Sequence, residues 1–304
     1  MIKATVLDEI KQVVSAVDIL SNEPMSRHTT FKVGGAAELF IRLRGTEQLQ
    51  FLIPLLQEAG IDYFLLGNGS NLLVGDKGYR GVILHSGNKM AKINGKKEQI
   101  TAEAGATLAN VARYAAENGL SGLEFASGIP GTVGGAAVMN AGAFAGEMAT
   151  IIESVQAVDT DGNLVRLPRE VLAYGYRQSI FMEYSYAISS VTMRLQYDDT
   201  EEIKHKMADF ATRRSERQPL EYASAGSTFK RPKQGYAGEM IMESGMGGFS
   251  IGGASVSEKH CGFVINRGNA TAADIRAVIK EVEERVVAKY NVILKPEVIF
   301  LGDF

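Results

Sequence analysis

From Ser127 the chain reads Ser127-Gly128-Ile129-Pro130-Gly131-Thr132-Val133-Gly134-Gly135-Ala136-Ala137, followed shortly by Asn140-Ala141-Gly142-Ala143. Glycine loses more backbone freedom on folding than any other residue, so this density is costly unless something must come close to the backbone. Composition therefore favours contact with a ligand over a purely structural turn, and leaves the ligand open. An earlier loop, Leu66-Gly67-Asn68-Gly69-Ser70-Asn71-Leu72-Leu73, follows a short apolar strand. Its small residues suit backbone approach to a phosphate, and they also suit an ordinary tight turn. A nicotinamide-binding Gly-x-Gly-x-x-Gly turn is disfavoured, because position 72 is Leu and an apolar run follows where a helix should open.

The 304 residues fit two compact domains, or one large domain with a smaller partner. A net charge of −3 gives no basic surplus for general nucleic-acid binding. Cys261 is the single cysteine, so no intrachain disulfide is expected, in agreement with a reducing compartment and a cytoplasmic location. His28, His85, His205 and His260 fall in no HExxH or Cys/His ligand spacing, and no metal site is expected. No stretch approaches the roughly 20 apolar residues of a membrane span, so no membrane insertion is expected.

Short apolar or alternating runs predict strands at 37–42, 63–66, 81–84, 99–103, 152–158 and 190–196. Asp161-Gly162 predicts a hairpin turn between 155–159 and 164–167. Helices are predicted at the N-terminus and at 108–117, 201–214, 237–244 and 272–290, the last with a Thr271/Asp274 capping signature. Gln218-Pro219 stops the helix beginning at Glu201, whose Arg213 and Arg214 read as solvated helix-face charges. The main domain border is placed near residue 198.

Three stretches together carry a family resemblance: Arg27-His28-Thr29-Thr30-Phe31-Lys32-Val33-Gly34-Gly35, the 66–73 loop and the 128–142 loop. In order and content they resemble the UDP-N-acetylenolpyruvoylglucosamine reductases, also called UDP-N-acetylmuramate dehydrogenases. The resemblance runs from Ser26 to Gly302. It implies an α+β fold: a two-lobed FAD-binding domain of the vanillyl-alcohol oxidase / p-cresol methylhydroxylase type over 1–198 (lobes 1–85 and 86–198), and a smaller α+β substrate domain over 199–304. It further implies noncovalent FAD, NADPH as hydride donor and a UDP-sugar substrate. The flavin contacts it implies are Gly67, Asn68, Gly69, Ser70, Asn71 and Leu72 from the first loop. From the second loop they are Gly128, Ile129, Pro130, Gly131, Thr132 and Gly134, with Asn140 and Gly142 nearby.

Three further motifs resemble the family's catalytic segments. Tyr174-Gly175-Tyr176-Arg177-Gln178-Ser179-Ile180-Phe181 places the arginine role on Arg177, with Tyr176 at the substrate. Ala225-Gly226-Ser227-Thr228-Phe229-Lys230-Arg231-Pro232 puts Ser227 in the proton-donor position. Lys295-Pro296-Glu297-Val298-Ile299-Phe300-Leu301-Gly302 assigns a catalytic role to Glu297. Without the motifs, these residues read as a stacked surface arginine, a loop serine and a solvated glutamate. Arg217, Lys230 and Arg231 are candidates for the substrate's diphosphate and carboxylate, Arg231 standing where some members have asparagine. The short interval between Arg177 and Ser227 fits the subtype without an extra substrate-capping segment. The implied reaction delivers hydride to C3 of the enolpyruvyl group and a proton to C2, giving UDP-N-acetylmuramate for cell-wall precursor synthesis. Two alternatives stay open: an oxidase of the same flavin superfamily, and a flavin- or sugar-nucleotide-binding regulator without turnover. His260 and Cys261 read as packed core residues.

Overall fold

The computed structural model describes residues 2–304. Its helices are α1 (Ala4–Val13), α2 (Thr46–Glu58), α3 (Leu108–Glu117), α4 (Val133–Met139), α5 (Thr200–Arg217), α6 (Ala237–Glu243) and α7 (Ala272–Tyr290). Contacts divide the chain into two compact units. The first takes the residues up to Ser21 with Leu39–Asn68 and Gly81–Arg214; the second takes Asn22–Glu38, Gly69–Arg80 and Ser215–Phe304. The change of unit between Arg214 and Ser215 lies beyond the expected border at 198. The cause is α5, whose Met207 and Phe210 pack on the apolar core of the first unit and keep most of the helix there.

The first unit is built on two sheets. A four-stranded sheet has the order Ile19–Pro24, Ala36–Arg42, Tyr79–His85, Tyr63–Leu66, the last two strands running parallel. Leu39 and Ile41 on this sheet meet Ile10 of α1 and Leu49, Leu52 and Leu56 of α2 in one buried cluster. A five-stranded antiparallel sheet has the order Leu164–Pro168, Ile152–Val158, Ala187–Arg194, Gln99–Glu103, Ile93–Lys96. The expected hairpin is present, with Val158 opposite Leu164, and the Asp159 carboxylate accepts from the Asp161 and Asn163 amides to close its turn. Helices α3 and α4 cover this sheet through Val111, Ala115, Val133 and Ala137.

The glycine-rich run is not one continuous loop as expected, because α4 occupies its second half. Gly134 is the reason the helix can lie down there. A Cβ at that position would sit 2.9 Å from the Ala104 Cβ, and the Gly134 amide donates to Ala104 O at 2.9 Å. This glycine serves close packing of helix on strand, with its amide already satisfied.

In the second unit, Ala223–Ser224, Val264–Asn266, Ala254–Val256 and Ser250–Ile251 form an antiparallel sheet in that order. Helix α7 lays Ile275, Val278, Ile279, Val282 and Val286 into its core. The capping box at Thr271 and Asp274 starts the helix as expected. A separate parallel pair joins Leu72–Val74 to Ile299–Leu301, so the first glycine loop leads directly into a strand bonded to the C-terminal tail.

One buried ion cluster secures the first unit. Asp18 is fully buried; Lys89 Nζ donates to its Oδ1, and Arg44 Nε donates to its Oδ2 at 2.5 Å. Burial pushes the carboxyl up, but donation from Lys89 and Arg44 outweighs it and holds the group below its ordinary value. A depressed native value means that this stability is present above the unfolded carboxylate range and is lost as pH falls through the native value. Asp18→Asn should lower stability at neutral pH by about 2 kcal/mol. It should also flatten the loss of Tm that the parent protein shows as pH falls below about 5; equal slopes for the two proteins in calorimetric scans would contradict this.

Candidate functional site

In the first unit the two glycine loops meet. Asn68 Nδ2 donates to Pro130 O at 2.6 Å, tying the first loop to the second. Beside that bond, a Cβ at Gly67 would lie only 2.3 Å from Thr132 Oγ1. Thr132 is buried, and its hydroxyl has no hydrogen-bond partner in the structure. An unsatisfied buried hydroxyl is unusual and costs about 1–3 kcal/mol. Arg214 lies against Gly128, where a Cβ would come 2.9 Å from its Nε, and that Nε is likewise buried without a partner. Burial pushes the Arg214 guanidinium value down. The arrangement thus offers an orphaned hydroxyl and an orphaned cationic donor beside small-residue backbone, which fits a diphosphate and its neighbouring hydroxyls.

Arg214 does not behave as a solvated helix-face charge. Met207, Phe210 and Arg214 follow the three- and four-residue spacing of one helix face, and the first two pack on the apolar core. That spacing was the available signal. Its neighbour Arg213 lies 3.3 Å from Asp209 and 5.0 Å above the Phe144 ring, over which Arg214 also sits at 5.8 Å; Phe144 itself stacks on Phe210 at 4.5 Å.

Arg177 belongs to the same unit. Its backbone holds φ at +52°, a conformation costly for a non-glycine residue. Its guanidinium donates to Asn140 O at 3.1 Å and Gly142 O at 3.0 Å, at the end of the glycine run. Tyr176 beside it is largely exposed, its ring 5.3 Å from the Arg177 guanidinium carbon. Asn140 is fully buried, donates to Gly175 O at 2.9 Å and accepts from the Ala149 amide at 2.9 Å. Enclosed in this way, the Asn140 side chain braces the Arg177 turn.

The second unit brings the other two motifs together. Glu297 N donates to Thr228 O at 2.8 Å, Lys230 N donates to Lys295 O at 2.9 Å, and Phe229 and Pro296 form an antiparallel bridge between them. Thr228 is locked in turn: its amide donates to Gly262 O at 2.8 Å and its hydroxyl accepts from the Val264 amide at 3.0 Å. Ser227 is exposed and Glu297 half-buried, one residue outside and one inside this pairing. Arg217 and Arg231 are exposed and Lys230 half-buried; the Arg231 guanidinium carbon lies 3.8 Å over the Tyr236 ring.

Gly69, Asn71 and Leu72 of the first glycine loop are engaged by their own chain, and Ser70 is half-buried. Gly69 has φ +59°, and a Cβ there would strike His28 O at 2.0 Å, so the residue is required by its own chain. Leu72 is buried in the parallel pair, and Asn71 Nδ2 donates to Glu297 O at 3.0 Å. His260 packs edge-on against Phe263, and burial pushes its imidazole value down and the Cys261 thiol up, as expected of core residues. Among the described residues no cluster of His, Cys, Asp or Glu could hold a metal ion, and no helix is long and apolar enough to cross a membrane.

An FAD-binding domain model matches residues 37–168, the stretch that contains both glycine loops, and defines the chain as a flavoprotein of α+β fold. The C-terminal-domain model of UDP-N-acetylenolpyruvoylglucosamine reductase matches residues 218–301. The reductase of that name from Clostridium botulinum strain Hall is 46% identical over 97% of this chain and 96% of its own length. That of Clostridium perfringens is 47% identical over 94% and 93%. A solved structure, the corresponding reductase of Thermus caldophilus, superposes with a TM-score of 0.80 at 32% identity, covering 93% of this chain and 98% of that one. The chain belongs to the UDP-N-acetylenolpyruvoylglucosamine reductase family. Fold likeness extends further, to alkyldihydroxyacetonephosphate synthase, with a TM-score of 0.51 at 14% identity over 65% of this chain.

The contact between the glycine loops yields a paired prediction. Gly67→Ala should clash with the Thr132 hydroxyl, lowering stability by about 1–3 kcal/mol and reducing FAD retention. Adding Thr132→Ala should restore the melting temperature without restoring FAD retention, because the orphaned hydroxyl goes with the clash. Recovery of both, read from Tm and from flavin absorbance after dialysis, would show that Thr132 contributes only bulk.

Proposed function

We infer that this chain reduces UDP-N-acetylglucosamine enolpyruvate to UDP-N-acetylmuramate with NADPH, as an FAD-dependent enzyme of peptidoglycan precursor synthesis. The pairing of Glu297 with Thr228 is the observation that carries the mechanistic reading, since it places the segments of the proton donor and the catalytic carboxylate side by side. In this reading the first unit holds the flavin and the second the substrate, with the C-terminal tail supplying Glu297. The reaction is placed in the cytoplasm, where the lone buried Cys261 stays reduced.

When bound, FAD carries hydride from NADPH to C3 of the enolpyruvyl group. The chain's own residues deal with the charge and the proton. Gly67, Asn68, Gly128, Ile129, Pro130, Gly131 and Gly142 line the flavin path, with Thr132 Oγ1 and Arg214 Nε as buried donors to it. Arg177, anchored on the Asn140 and Gly142 carbonyls, stabilises the negative charge developing on the enolpyruvyl carboxylate. Its strained turn and double anchorage fix the fork before substrate arrives, so little orientation is lost in use. Ser227 gives its hydroxyl proton to C2. Serine is a very weak acid, and only a strongly basic enolate or carbanion can take that proton, which is the species hydride addition creates. Glu297 hydrogen-bonds the reacting group or the proton relay beside Ser227. Tyr176, Arg217, Lys230 and Arg231 hold the UDP-sugar. An oxidase of the same fold would have no use for the Ser227 and Glu297 pairing.

The yellow protein, kept free of air, should consume more than one equivalent of NADPH per flavin only when the enolpyruvyl sugar is present. In Ser227→Ala the reduction of bound flavin by NADPH should persist, while the step with enolpyruvyl substrate slows by about two to four orders of magnitude. Stopped-flow absorbance separates the two steps; an equal loss in both would make Ser227 a support for fold or flavin.

A further inference from the structure

Asn71 closes the first glycine loop and stands one residue before the strand Leu72–Val74. Its carbonyl accepts from the Ile299 amide at 3.0 Å, and the parallel register then runs from Leu72 and Ile299 to Val74 and Leu301. Its side chain turns to the same neighbour and donates from Nδ2 to Glu297 O at 3.0 Å. On the opposite side of that residue, the Glu297 amide donates to Thr228 O at 2.8 Å. Both backbone groups of Glu297 are therefore held within the second unit, one by Asn71 and one by the residue after Ser227.

We propose that Asn71 is a positioning residue, which acts through the Glu297 carbonyl to fix the backbone presenting the catalytic carboxylate. The inference rests on the reading of Glu297 and Ser227 given above. An extended tail is otherwise a poor platform for a catalytic group, since strand pairing constrains only those backbone groups that find partners. In the register here, Ile299 to Leu301 are paired with Leu72 to Val74, while Glu297 lies two residues ahead of that ladder. The Asn71 amide extends the pairing past the end of the ladder by replacing a backbone donor with a side-chain one. A misplacement of about 1 Å at a reacting group can cost about a hundredfold in rate, so one such bond matters far more to chemistry than to stability.

The test uses the FAD-loaded enzyme and two variants. Asn71→Asp keeps the size of the side chain, removes the donor and sets an anion against the Glu297 carbonyl; Asn71→Ala removes the group. Stopped flow gives the rate of flavin reduction by NADPH and the rate at which the prereduced enzyme is reoxidised by enolpyruvyl UDP-sugar. Both variants should lower the second rate relative to the first by about 10–100-fold. On a Glu297→Gln background the same changes should cost less than about threefold, because the group they position has already lost its function. An unchanged ratio of the two rates overturns the proposal, as does the full loss recurring on the Glu297→Gln background. Loss of FAD from both variants also overturns it, making Asn71 a holder of the cofactor loop. Failure of the underlying functional reading looks different: the unmodified enzyme, once prereduced, would not react with the enolpyruvyl sugar at all.

Discussion

The backbone pairing of Thr228–Lys230 with Lys295–Glu297 is the constraint on which the candidate site of the second unit depends. The segments of a serine and a carboxylate far apart in sequence are brought side by side by two main-chain hydrogen bonds, not by side-chain affinity. Main-chain pairing is suited to this because it is obligatory: buried amides and carbonyls must find partners, and once Phe229 bridges Pro296 the register of both flanking residues follows. Thr228 then transmits the restraint inward to Gly262 and Val264, so the active segment is braced by the sheet that α7 covers.

The first unit solves a different problem, that of bringing backbone close to a large anionic cofactor. Its answer is to remove side-chain bulk where the loops meet and to leave buried donors there without protein partners. Thr132 Oγ1 and Arg214 Nε are costly in a protein alone and reasonable beside a ligand that accepts from them. The same unit tolerates strain at Arg177, whose positive φ is held by two carbonyls at the end of α4 and by the enclosed Asn140. Strain of this kind persists only where surrounding structure over-determines it, and it marks a residue kept for its orientation.

Much of this was legible in the residues. Alternation and capping revealed the strands near 99–103 and 152–158, the hairpin at Asp161-Gly162 and the start of α7, because each is governed by local chemistry. Motif resemblance pointed to Arg177, Ser227 and Glu297, and the long-range pairing then placed two of them on adjoining segments. What local reading could not supply was the division of labour among glycines. Gly67 makes room for Thr132, Gly69 for His28 O and Gly134 for Ala104, and only the fold says which neighbour each will meet. Asn140 was similarly opaque, since a buried brace and a ligand contact need the same polar side chain. Arg214 was readable from its spacing with Met207 and Phe210, yet charge alone suggested the opposite face.

In the proposed reaction, electrons from NADPH leave the protein onto an enolpyruvyl double bond and not onto oxygen. The most direct measurement is a single turnover without air: the enzyme is reduced with one equivalent of NADPH and mixed with UDP-N-acetylglucosamine enolpyruvate while flavin absorbance is followed. The oxidised yellow band should return in full with stoichiometric UDP-N-acetylmuramate, and UDP-N-acetylglucosamine alone should leave the flavin bleached. A flavin that stays reduced with the enolpyruvyl sugar and recovers its colour only on admission of oxygen would contradict it.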